Sequence, residues 1–114
     1  MQDAGAHAYN IAIGHEAGKA VTTGTQNTLI GSLAGDALTT GMNNVAIGYN
    51  ALGAEDAGSA NVAIGTHALE DQDAGTAYNV AVGHAAGRNV TTGTANTIMG
   101  GLAGDALTTG YGNI

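Results

Sequence analysis

Asparagine recurs at 10, 27, 44, 61, 79, 96 and 113, in steps of 17, 17, 17, 18, 17 and 17 residues. The first six open related phrases: NIAIG, NTLIG, NVAIG, NVAIG, NVAVG and NTIMG. A unit this short has too little chain to bury a face by itself. Neighbouring units must stack, and their contacts make one continuous core. The chain divides into a partial repeat (1–9), six tandem repeats (10–26, 27–43, 44–60, 61–78, 79–95, 96–112) and two residues of a seventh (113–114). The expectation is a rod segment from something longer, not a globule around a pocket.

Counted from the asparagine, four columns are fixed. Position 1 is Asn10, Asn27, Asn44, Asn61, Asn79 and Asn96. Position 5 is Gly14, Gly31, Gly48, Gly65, Gly83 and Gly100. Position 8 is Ala17, Ala34, Ala51, Ala68, Ala86 and Ala103. Position 15 is Gly24, Gly41, Gly58, Gly75, Gly93 and Gly110. Positions 2 and 4 are mostly β-branched and share one face of a strand, while position 3 points the other way. Asn-x-x-x-Gly thus reads as a short strand stopped by a glycine turn. A helix would carry three Gly or Asn per repeat, at a cost of several kcal/mol. The predicted fold is all-β: a parallel β-solenoid of 17-residue coils, either a β-roll or a triple β-helix, elongated and homotrimeric. Strands about 4.8 Å apart would make six coils about 30 Å long.

Two kinds of unit occur. The units at 10, 27, 79 and 96 carry Gly at position 9, an aliphatic at 12 (Val21, Leu38, Val90, Leu107) and Thr-Thr-Gly. The units at 44 and 61 carry Leu52 and Leu69 at position 9, Glu55 and Gln72 at 12, and Asp-Ala-Gly. The aliphatic moves between 12 and 9, so every layer keeps one. GDALTTG at 35–41 returns at 104–110, marking a duplicated 69-residue block. On this reading positions 2, 4 and 9 or 12 form the interior. Leu29, Leu33, Ile98 and Leu102 lie outside it, and a lone rod would expose them. Three rods packed side by side would cover them, which predicts a homotrimer.

Composition narrows the function. Nine acids face Lys19 and Arg88, for a net charge of −7. That leaves no basic footprint for nucleic acid. Cysteine, tryptophan and phenylalanine are absent. No stretch nears about 20 apolar residues, so no membrane insertion is expected.

Asn-Val-Ala-Ile-Gly, followed by Ala and a second Gly, resembles the head repeats of trimeric autotransporter adhesins. The longer Asn-x-Ala-Ile-Gly-x-x-Ala-Gly-x-x-x-Thr-Thr-Gly is similar to shaft repeats of phage tail fibres and bacterial surface fibres. The resemblance spans residues 10–114, although the adhesin head unit is shorter, at about 14 residues. It implies a trimeric left-handed β-roll or an intertwined triple β-helix, located outside the cell. It also implies a structural shaft presenting a tip that binds a cell-surface glycan or protein.

No chemistry-bearing constellation stands out. His15 and His84 are equivalent four coils apart and cannot share a metal within one chain; with His7 and His67 they read as exposed polar groups. Glu55, Asp56, Glu70, Asp71 and Asp73 read as a solvated acidic band, too poor in ligands for a calcium loop. Ser32 and Ser59 lie in no nucleophile elbow, and Gly-x-x-Ala-Gly lacks the Lys-Ser/Thr of a phosphate loop. The Thr-Thr pairs at 22–23, 39–40, 91–92 and 108–109 suit turn hydrogen bonding. As an ice-binding ladder they are broken by the two Asp-Ala-Gly units. The expectation is no enzyme, no cofactor and no metal. The exposed, variable positions 6 and 7 (His15-Glu16, Ser32-Leu33, Tyr49-Asn50, Thr66-His67, His84-Ala85, Gly101-Leu102) would carry any adhesive activity of the rod itself.

Overall fold

The computed structural model describes residues 8–114; His7 and most of the partial repeat lie outside the described residues. Six three-residue strands follow in order: β1 Ile11–Ile13, β2 Thr28–Ile30, β3 Val45–Ile47, β4 Val62–Ile64, β5 Val80–Val82 and β6 Thr97–Met99. They form one parallel sheet in chain order. The register advances by one repeat per strand, as in Ile13↔Ile30 and Ile30↔Ile47. Between β4 and β5 it advances by the longer repeat, Val62↔Val80. The chain is a parallel β-solenoid of about 17 residues per coil, measuring 38 × 23 × 16 Å. Coils 1 to 6 denote the six repeats.

Hydrogen bonds run up the axis. Ile11 N–H donates to Asn27 O at 2.8 Å, Thr28 N–H to Asn44 O at 2.8 Å and Val45 N–H to Asn61 O at 2.9 Å. Each coil is completed within one chain.

Sharp corners make so short a coil possible. Position 7 adopts positive φ in every coil (Glu16, Leu33, Asn50, His67, Ala85, Leu102; φ 54–61°). So does the residue before each asparagine of coils 2 to 6 (Gln26, Asn43, Ala60, Tyr78, Ala95; φ 54–61°). Each such residue costs about 1 kcal/mol or more, which the ladder bonds on either side offset. At position 5 the backbone permits only glycine. A Cβ on Gly48, at φ +134°, would lie 2.6 Å from the carbonyl carbon and oxygen of Gly65.

The core is inverted relative to the expectation from sequence. Position 3 points inward: Leu29, Ala46, Ala63 and Ala81 are fully buried and Ile98 nearly so. Positions 2 and 4 point outward. The reason is width. Opposite walls of a narrow coil approach too closely for bulky residues in every layer, so the inward column is mainly alanine. Where position 3 is large, position 9 is glycine: a Cβ on Gly35 would lie 2.8 Å from a Leu29 methyl, and one on Gly104 would lie 3.1 Å from Ile98. Where position 3 is Ala46 or Ala63, Leu52 or Leu69 at position 9 fills the layer. The exchange therefore links positions 3 and 9 in coils 2, 3, 4 and 6, while coils 1 and 5 are small at both and receive Leu29 and Ile98 from the next coil against Gly18 and Gly87; position 12 stays inside throughout. Val21, Leu38 and Val90 are fully buried there, and so are Glu55 and Gln72.

Candidate functional site

The asparagine column is an internal ladder. Each Oδ1 accepts the backbone N–H of the asparagine one coil on, at 2.9–3.1 Å, without a break from Asn10 to Asn113. In five coils Nδ2 donates to the position-15 carbonyl of the same coil: Asn10 to Gly24, Asn27 to Gly41, Asn44 to Gly58, Asn79 to Gly93 and Asn96 to Gly110, at 2.7–2.9 Å. One amide thus closes its own coil and holds the next. Coil 4 is the exception. Its extra residue displaces Gly75, which takes φ +63° with open space around it, and the buried Asn61 Nδ2 has no partner. The position-8 alanines from Ala17 to Ala86 are buried, with Ala103 partly so. These columns build the scaffold.

The outward sheet face is apolar from end to end. Position 4 stacks Ile13, Ile30, Ile47, Ile64, Val82 and Met99, and position 2 stacks Ile11, Thr28, Val45, Val62, Val80 and Thr97. Ile11 is 51 %, Ile13 60 % and Met99 69 % exposed in the two end strands, and the same columns are half-buried in β2 to β5. No charged residue enters either column. The face covers on the order of 300 Å² before its rims are counted, about the size of the largest apolar patch on an ordinary monomer.

Side chains of coils 3 to 5 form a second feature. Glu70 receives Asn50 Nδ2 at 2.6 Å from coil 3 and Arg88 Nε at 2.6 Å from coil 5. His67 Nδ1 lies 3.0 Å from the same carboxylate without hydrogen-bond alignment. The His67 ring packs edge-to-face with Tyr49 at 5.4 Å and with His84 at 6.3 Å. Gly53 leaves the space that the Asn50 side chain occupies. Sequence reading placed Tyr49, Asn50, His67 and His84 at the exposed positions 6 and 7 of successive coils, but did not join them to Glu70 and Arg88. His15 stands apart with its side chain 79 % exposed, as expected for position 6.

The acidic band is not uniformly solvated. Asp56, Asp71 and Asp73 are exposed, Glu70 is engaged as above, and Glu55 is fully buried. Glu55 Oε1 accepts Gly58 N–H at 2.6 Å and Oε2 accepts Ala74 N–H at 3.4 Å. Burial pushes its carboxyl pKa up, the backbone N–H groups pull it down, and Asp73 adds to the rise. Oxygens of Glu55, Asp56 and Asp73 lie within 4.8 Å of one another, well short of the six to eight that calcium takes.

The threonine hydroxyls serve the turns. Thr39 Oγ1 donates to Asp56 O at 2.9 Å, and Thr22 and Thr91 make longer bonds to Thr39 O and Thr108 O. Among the described residues no helix is long and apolar enough to cross a membrane. Comparison with family models, curated proteins and solved structures finds no match.

Proposed function

We propose that this chain is a shaft segment of a trimeric extracellular fibre, of the tail-fibre or surface-adhesin kind. The observation that carries the reading is the uncharged apolar face of positions 2 and 4. Parallel rods related by an axis along their length can bury that face over every coil, because each coil presents the same columns. The homotrimer drawn from sequence is kept, but its contact surface changes. Leu29 and Ile98 are already buried within one chain, so Ile30, Ile47, Ile64 and their neighbours make the interface instead. The shaft holds a tip at a distance, and the tip engages a cell-surface glycan or protein. Replacing Ile47 and Ile64 together by Asp should separate the chains and leave the far-ultraviolet circular dichroism of a β-solenoid. Chains that stay associated after that change would locate the interface elsewhere.

A second reading is direct adhesion through the rod surface. The cluster of Tyr49, His67, His84 and Arg88 favours it, since exposed rings beside a guanidinium suit a sugar. A glycan array separates the two: a pure shaft binds nothing, and an adhesive rod loses its signal with Tyr49→Ala or Arg88→Ala.

A further inference from the structure

The two central coils put polar side chains where the others put aliphatic ones. Position 12 is Val21 in coil 1, Leu38 in coil 2 and Val90 in coil 5, all fully buried, yet coils 3 and 4 bury Glu55 and Gln72 there. Gln72 is satisfied: Asn79 Nδ2 donates to its Oε1, and its Nε2 donates to Thr91 O at 3.3 Å. Glu55 is held less well, by one short backbone bond from its own coil and one long bond from coil 4. Coil 4 is also the long coil, where the asparagine clamp is open at Asn61 Nδ2. A weak point in the ladder and a buried carboxyl thus fall on the same pair of layers.

The charges facing Glu55 are all of one sign. Asp56 follows it in coil 3, and Asp73 faces it from coil 4. On the coil 2 side position 12 is the apolar Leu38. The two cations of the chain are engaged elsewhere, Lys19 with Glu16 and Arg88 with Glu70. An ionised Glu55 would be a buried anion beside two carboxylates, compensated only by the backbone N–H groups of Gly58, Ala74 and Ala57. A buried charge without a counter-charge opens the structure around it or takes up a proton.

We propose that the layer between coils 3 and 4 is a proton-linked joint: Glu55 enters the core as a neutral acid, and its ionisation loosens the rod there. The sign follows from burial. The carboxyl pKa is raised in the folded chain, so the stabilisation is fully present below the unfolded value near 4.3. It is lost as the pH rises through the folded value. Acid therefore stiffens the middle of the shaft, and solution above the folded pKa makes it the first region to open.

Thermal unfolding of the wild type and Glu55→Gln, from about pH 4 to about pH 9 with a chelator present, tests this. The difference in Tm between the two should be small at the acid end and should grow with pH, with the variant more stable. Hydrogen exchange should place the wild-type loss at the amides of residues 55–75. If Glu55→Gln does not fold, Asp73→Asn serves in its place: it removes a neighbouring charge that raises the Glu55 pKa, so it should move the pH-dependent loss of Tm to lower pH and make it smaller, without altering the core. A difference independent of pH would overturn the proposal. So would a rise in wild-type Tm at the basic end with millimolar calcium, beyond that given by matched sodium chloride, because a cation would then be the neutralising partner.

Discussion

An asparagine amide at position 1 does work for two coils, and the consequence is measurable residue by residue. Asn44→Ala strips the acceptor from Asn61 N–H and the donor from Gly58 O, both inside the rod. Two buried groups left without partners cost about 2–4 kcal/mol together. Asn61→Ala strips only the acceptor of Asn79 N–H, so denaturant titration should show it milder by about 1 kcal/mol. Equal losses would mean that the intracoil bond contributes nothing. The glycine columns separate in the same way. Gly48→Ala drives a Cβ into the Gly65 carbonyl and should cost more than about 3 kcal/mol. Gly75→Ala meets no atom and bears only the strain of its positive φ, about 1 kcal/mol. The sequence shows both as invariant glycines and cannot separate a steric requirement from a conformational one.

At the scale of the coil, packing is an exchange between positions 3 and 9. Leu29 fills its layer because Gly18 and Gly35 give way to it. Leu29→Ala empties that volume, at about 2–5 kcal/mol. Gly35→Ala crowds it. Leu52 already shows that the backbone at position 9 accepts a side chain at positive φ. The double variant Leu29→Ala with Gly35→Ala should therefore destabilise by clearly less than the sum of the single changes, in a double-mutant cycle of unfolding free energies. Strict additivity would refute the exchange. Much of the coil was legible: period, strands, glycine turns and asparagine ladder follow from the fixed columns. Which face turned inward was not. Alanine at position 3 looks like a spacer beside Ile and Val at 2 and 4, and only the narrowness of a closed coil reverses their roles. Glu55 was misread for a related reason. Its charge suggested solvent, while its column, shared with Val21, Leu38 and Val90, was the one signal that it lay inside.

At the scale of the molecule, the rod combines a self-sufficient interior with an exterior that is apolar on one side only. Its interior is closed within one chain, by an Asn–Gly bond in every coil but coil 4. Its exterior carries Ile, Val and Met along β1–β6, with Thr28 and Thr97 among them and the charges held in the turns. A rod of this kind gains by packing laterally against copies of itself in register, and stacked identical coils make the gain proportional to length. On the proposed shaft reading, stiffness and association come from the same columns. Sedimentation equilibrium of the purified chain at micromolar concentration tests that account most directly. A single species of three times the 11.0 kDa chain mass is the predicted result; a stable monomer would contradict it.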